Sequence, residues 1–240
     1  MAVLVVTGTG TEVGKTVTTA AVAATALSVG RSVAVLKPAQ TGVRCDEPGD
    51  AAEAARLAGP LTAAELARYP EPLAPATAAR RAAMPQIGAE AVTEAAQKLA
   101  AEHDLVLVEG AGGLLVRFDD HGATLADAAA LLGAPVLVVA PAGLGTLNAT
   151  ELTVRELGRR GLRCPGVVVG SWPRLPDLAA RCNLADLPDT AGVPLLGAVP
   201  EGAGRLSPTV FRRKAPGWVA AELGGSWDVG AFTALSAAAV

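Results

Sequence analysis

The chain has 240 residues, with 20 Lys and Arg against 23 Asp and Glu and a formal net charge of −3. That length suits one α/β domain with a sizeable core, and so slight an acidic balance offers no basic surface for nucleic acid. No stretch free of Gly, Pro and charge is long enough to span a bilayer, and Met1 runs into a first strand without a charged-then-apolar leader, so the expectation is a cytoplasmic protein with no membrane partner.

Residues 2–19 read as a buried strand, a glycine-rich turn and the start of a helix. Val3 to Val6 is short and β-branched, as a strand covered on both faces requires, and Ala20 to Leu27 continues in helix formers. Gly8, Gly10 and Gly14 let successive backbone N–H groups point into one concavity, with the positive end of the helix behind them. This is a phosphate-binding loop in which Lys15 reaches the outer phosphates and the Thr16 hydroxyl meets Mg²⁺. It is a variant loop, because Thr9 stands where the usual pattern has glycine. Glu12 stays open between an exposed side chain, turned away from the phosphates it would repel, and a partner for an amine or a ribose.

Ser32 to Leu36 is a second strand, and Lys37-Pro38-Ala39-Gln40-Thr41-Gly42 is expected to break it. Ligands collect at the carboxyl ends of parallel strands, which puts Lys37 and Thr41 on the crevice of the phosphate loop. Gly49 to Glu53 opens a helix ending near Gly59, with Asp50 as a candidate second magnesium group. Residues 62–88 are read as a helix and a proline-rich connection, Tyr69 to Pro75, suited to a lid or substrate wall; a helix over 89–102 follows.

Asp104 to Gly113 is an apolar strand that delivers Glu109 and then glycines, and it resembles a Walker B strand with Glu where Asp is usual. A carboxylate there can hold Mg²⁺, which prefers oxygen ligands. Thr124 to Leu132 reads as a helix, Val136 to Ala140 as a buried strand, and Pro141 to Asn148 as a loop opening a helix over 147–160, where a strand end again meets a helix N-terminus that favours an anion. Val167 to Val169 and Leu195 to Val199 are two more strands, with a short helix over 176–190 between them. The loops after them, Gly170-Ser171-Trp172-Pro173 and Pro200-Glu201-Gly202, are expected to flank the base or ribose. The last 30 or so residues look peripheral by composition.

Cys45, Cys164 and Cys182 are widely spaced and lack partners at metal-ligand spacing, so neither a disulfide framework nor a zinc site is expected; His103 and His121 are isolated and take no role. Of only four lysines, Lys15, Lys37, Lys98 and Lys214, two stand at the first two strand ends, where a point charge suits phosphate. With no repeat and no low-complexity linker, residues 1–240 read as a single domain.

Taken together, Gly8 to Thr16, Lys37 to Gly42, Glu109 to Gly113 and Leu144 to Asn148 resemble the dethiobiotin synthetases, in that family's order and spacing, over residues 1 to about 202. The resemblance implies a homodimer of P-loop domains, each a three-layer α/β fold with a mostly parallel central sheet flanked by helices. It implies a ligase that makes dethiobiotin from 7,8-diaminononanoate, CO₂ (or bicarbonate) and a nucleoside triphosphate, ordinarily ATP, with Mg²⁺, through a carbamate and a carbamic-phosphoric anhydride. Carried over by position, Lys15 and Lys37 are catalytic, and Thr16, Asp50 and Glu109 surround the metal. Glu12, Val13, Gly14, Lys15, Thr16, Val17, Asp50, Glu109, Gly110, Ala111, Gly112, Gly170, Ser171, Pro200, Glu201 and Gly202 bind the nucleotide. Thr41 and Gly112 touch the diamine, and Leu144, Gly145 and Asn148 of the neighbouring subunit hold its carboxylate tail. Many members carry a polar pair such as Asn-Asp where this chain has Gly170-Ser171, so looser reading of the base is expected.

The alternative is a partition-type switch ATPase, which shares the loop. Those proteins carry a second lysine early in the loop, at the position of Gly10 here, and have no counterpart of Lys37-Pro38. Amidotransferases of cobyrinate type need a glutaminase domain for which this chain leaves no length.

Overall fold

The structure, a computed structural model, describes residues 3–238. Residues 1, 2, 239 and 240 of the expected single domain lie outside the described residues. Seven strands form one sheet in the order β3-β2-β4-β1-β5-β6-β7, with every paired neighbour parallel. The strands are β1 (Val3–Gly8), β2 (Val33–Thr41), β3 (Thr62–Tyr69), β4 (Leu105–Gly113), β5 (Val136–Ala140), β6 (Val167–Trp172) and β7 (Leu195–Pro200). The central strands are buried on both faces: Val5, Val6, Val106 to Val108 and Val136 to Ala140 have no exposed surface, as their unbroken apolar runs require.

The helices are α1 (Lys15–Ser28), α2 (Asp50–Ala58), α3 (Pro75–Ala82), α4 (Ala89–Glu102), α5 (Leu125–Leu132), α6 (Thr146–Arg159), α7 (Leu178–Ala191), α8 (Pro208–Lys214) and α9 (Val229–Ala238). Right-handed crossovers put α1 and α2 on one face of the sheet and α3 to α7 on the other. The buried side of α1 is almost all Ala and Thr, from Thr18 to Ala26, so the helix lies close against both the sheet and α2. The expected three-layer fold is the one observed, and its sheet is parallel throughout.

Three local expectations are corrected. Lys37-Pro38 does not end β2, which continues to Thr41: its pairing with β4 stops at Leu36, while pairing with β3 runs on from Lys37↔Glu65 to Ala39↔Ala67, stepping over the proline that lacks an N–H. Residues 62–69 form an edge strand, not a helix; Ala and Glu disguise it, but main-chain pairing to β2 over most of its length overrides their propensity. The last 30 or so residues are not peripheral. Phe211 is fully buried, packs edge-on against Trp218 at 5.2 Å, and belongs to a cap that α8 and residues 215–218 form over α1 and α2. Val219 then bridges to Gly197 of β7, where a Cβ would stand 2.4 Å from the Trp218 carbonyl oxygen.

Candidate active site

Where β2 parts from β4 the sheet opens a crevice, and Lys37 is the first residue past the split. Only 2 % exposed, it donates from Nζ to Glu109 Oε1 at 2.9 Å and to the Gly110 carbonyl at 3.0 Å, and stands 2.5 Å from Asp50 Oδ2. The Thr16 hydroxyl, one residue into α1, donates to the same Glu109 oxygen at 2.8 Å. Four chain segments therefore meet in one cluster: the start of α1 after the phosphate loop, the middle of β2, the start of α2 and the middle of β4.

The phosphate loop runs through a series of bends, with the Thr9 N–H donating to the Val139 carbonyl at 2.9 Å, and ends at Gly14, the left-handed cap of α1 at φ 92°. Lys15 folds back to donate from Nζ to the Gly10 carbonyl at 2.8 Å, the posture of a lysine lying along its own loop. Glu12 is exposed and sits at φ 60°, a left-handed conformation that costs a residue with a Cβ roughly 1 kcal/mol.

The two buried lysines are pulled in opposite directions. The Lys15 ammonium titrates below the ordinary lysine value, by burial first and the charge of Lys37 second, against weaker support from Glu109 and Asp50. Burial would depress Lys37 too, but the carboxylates of Glu109 and Asp50 outweigh it and hold that ammonium above the ordinary value.

Glu109 is 1 % exposed, and while its Oε1 takes two bonds its Oε2 is buried with no partner. An orphaned carboxylate oxygen costs free energy unless something occupies it. With the Thr16 hydroxyl and the Asp50 carboxylate nearby, the donor set is all oxygen, which fits Mg²⁺. Among the described residues no three His, Cys, Asp or Glu side chains converge on one point, so a metal here would draw its other ligands from phosphate and water.

Beyond the cluster, Val17, Glu201 and Gly202 line a cleft of about 690 Å³ together with Arg174, Gly204, Arg205 and Leu206. Pro200 and Ser171 are exposed at the ends of their strands. Gly170 serves the loop itself: a Cβ on it would stand 2.1 Å from the Val13 carbonyl oxygen, and a Cβ on Gly14 would stand 2.2 Å from the Gly170 carbonyl oxygen. The two backbones touch, so Gly170 seats the phosphate loop.

On the other side of the cluster, Gly112 at φ 75° lies beside Thr11 and Val116, with Ala111 half-buried next to it. Thr41 leads into Gly42, whose added Cβ would meet Pro72 at 2.8 Å. The proline-rich connection thus packs against the end of β2, where the Gly42 N–H donates to the Glu71 carbonyl at 3.0 Å. Leu144, Gly145 and Asn148 are elsewhere. Gly145 caps α6 at φ 88°, Leu144 is 89 % exposed, and the three are bonded to none of the cluster residues.

Sequence reasoning missed Gln40, Arg174, Arg205 and Asn183. The buried Asn183 carboxamide on α7 donates to the carbonyls of Ala142 at 2.9 Å and Gly143 at 3.0 Å, fixing the loop that leads to Gly145. No local signal marks it, since its partners lie 40 residues away. Gln40 had one, its place between Lys37 and Thr41.

The AAA domain family matches residues 2–205. The ATP-dependent dethiobiotin synthetase of Streptomyces avermitilis is 73 % identical over 97 % of this chain and 98 % of its own length, and that of Saccharopolyspora erythraea 66 % identical over 95 % and 100 %. Among solved structures, the cell division ATPase MinD of Pyrococcus furiosus is similar with a TM-score of 0.55, at 20 % identity over 90 % of both chains. A ParA family ATPase of Chlorobium tepidum has a TM-score of 0.55 at 13 % identity, over 88 % of this chain and 90 % of its own. At such identities these two likenesses speak for the P-loop fold alone.

Proposed function

The chain belongs to the dethiobiotin synthetase family, and we propose that it is an ATP-dependent ligase that closes the ureido ring of dethiobiotin from 7,8-diaminononanoate and CO₂, with Mg²⁺, as a homodimer in the cytoplasm. The observation that carries the reading is the buried Lys37 ammonium, held between Glu109 and Asp50 beside the phosphate loop. A switch ATPase has no use for a second lysine at that point.

One amine of the substrate adds to CO₂ and loses a proton, giving a carbamate. A carbamate oxygen attacks the γ-phosphorus and the nucleoside diphosphate leaves; the second amine then attacks the carbonyl carbon of the mixed anhydride, loses its proton and expels phosphate. The protein's task is position and charge, since phosphoryl transfer asks for little else. Lys37 neutralises the carbamate and the passing phosphoryl group, Lys15 and the loop amides hold the outer phosphates, and Thr41 and Gly112 face the diamine. Thr16, Asp50 and Glu109 would hold magnesium, which when bound neutralises charge on the phosphate oxygens. The nucleotide's outer half would lie in the cleft that Val17, Glu201 and Gly202 line.

The homodimer is supported by α6 and the loop before it. Leu144 in the loop and Leu152 on α6 are exposed, 89 % and 62 %, on either side of the exposed Asn148 beside a helix N-terminus. A second copy docked there would bring Leu144, Gly145 and Asn148 to the tail of the substrate.

The deciding assay follows nucleotide hydrolysis with and without diaminononanoate and bicarbonate. A diamine-dependent rate is expected, and hydrolysis indifferent to diamine would favour the switch. Glu109→Gln keeps an acceptor for Lys37 but gives up the charge, so it should unfold cooperatively like the parent while losing about two to three powers of ten in rate. Full activity in that variant would remove Glu109 from the site.

A further inference from the structure

Gln40 is a residue of β2 whose side chain bonds across to the first residue of α2. It is 4 % exposed. Its Oε1 accepts the Asp50 N–H at 2.8 Å, and its Nε2 donates to the Thr41 carbonyl at 3.3 Å. Asp50 opens α2, so its N–H has no partner within the helix, and the residue before it, Gly49, has no side chain with which to cap. A Cβ on Gly49 would stand 2.3 Å from Glu65 Oε1 and 2.9 Å from Gln40 Oε1, so a side chain there would have to displace both. A side chain from another element supplies the cap. Because it takes the backbone N–H, the Asp50 carboxylate is left free to face Lys37 at 2.5 Å.

We propose that Gln40 is a positioning residue, which fixes the Asp50 carboxylate at the metal-phosphate site and ties it to the strand end that carries Thr41. The inference rests on reading Asp50 as a magnesium ligand. The rest of the loop has its own anchor: Arg68 of β3 donates to the carbonyls of Arg44 at 2.8 Å and Glu47 at 2.6 Å, and pairs with Glu65 at 2.8 Å. Removing the Gln40 bond therefore releases the first residue of α2 without releasing the loop. The effect should appear in the metal, not in the fold.

The test titrates the β,γ-imido analogue of ATP into the protein by calorimetry, with and without Mg²⁺. Gln40→Met keeps the bulk and loses the acceptor; it should leave the metal-free affinity within about twofold and cut the gain that Mg²⁺ confers about tenfold, the scale of other residues that orient a metal ligand. Gln40→Glu retains an acceptor oxygen and should recover most of that gain. Asp50→Asn is measured alongside. If it keeps the full Mg²⁺ gain, Asp50 is no ligand and the inference falls with that reading. If Asp50→Asn loses the gain and Gln40→Met does not, Gln40 alone is overturned. Equal losses with and without metal in Gln40→Met, with the Glu variant no better, would make Gln40 a packing residue and overturn the assignment as well.

Discussion

Lys15 and Lys37 share one crevice and answer it in opposite directions, which gives the alkaline side of the pH profile a defined form. Lys37 titrates above the ordinary 10.5, so its contribution to stability is fully present below that value and is lost as pH rises through its own higher pKa. Lys15 titrates below 10.5; its charged form is disfavoured in the folded state, and stability is regained as pH rises from its folded pKa to the unfolded one. Affinity for the triphosphate, which needs the Lys15 charge, should accordingly weaken while the pH is still under 10.5. Calorimetric titration of the ATP analogue from about pH 7 upward checks this, and a Kd that holds flat until an unperturbed lysine titrates near 10.4 would contradict the burial of Lys15. At this scale the sequence was readable wherever a motif places a side chain, as at Lys15, Thr16, Lys37 and Glu109, which the fold brings to one crevice. For Gln40 it gave only a place between Lys37 and Thr41; the bond it makes, across ten residues to a helix, is visible only in the fold.

Among the elements, strands and helices with strong periodicity or unbroken apolar runs fall where expected, β5 and α4 to the residue. Where the reading failed, tertiary contact had overruled local chemistry. Pro38 sits inside β2 because the strand has already left β4 and its pairing with β3 passes over that residue. β3 is rich in Ala and Glu, yet as an edge strand it needs only one partner. The cap over α1 and α2 was misjudged because its few aromatic residues are diluted by Ala, Gly and Arg, and composition counts residues without weighing their burial. Phe211→Ala tests its importance: a fully buried aromatic removed from a packed site costs about 3–5 kcal/mol, on the order of 10 °C in Tm for a chain of this size. A peripheral segment would give a change within about 0.5 kcal/mol.

For the molecule as a whole, the cluster around Lys37 is built from residues 10–110, whereas the cleft beside Glu201 takes all its lining but Val17 from residues 174–206 and the exposed helix end lies at 144–152. If the helix end completes the site of a second copy, inactive chains can repair each other. Lys15→Ala is the better first partner, because removing Lys37 takes the ammonium partner from the buried Glu109, a loss that costs about 3–5 kcal/mol in a buried pair. Mixed with Asn148→Ala, it should restore diamine-dependent turnover once subunits have exchanged; a mixture no more active than its parents would mean that each site is built from one chain. The base is the other question at this scale. Gly170 has no side chain and Ser171 only a hydroxyl, so preference among ATP, CTP, GTP and UTP should stay below about a hundredfold in kcat/KM, or about 2.7 kcal/mol.

The contact between Gly14 and Gly170 also limits the paths by which that preference can be changed by mutation. Replacing Gly170 with Asp or Asn pushes its new Cβ into the carbonyl of Val13, so such a variant loses its hold on phosphate before any new group reaches a base. Changing both glycines at once only adds a second obstruction. Selectivity can be rewritten at Ser171, Arg174 and Arg205, which are exposed and whose side chains have room to vary. In a library randomised over all five positions, survivors selected for a new nucleotide should therefore differ at those three and retain glycine at 14 and 170.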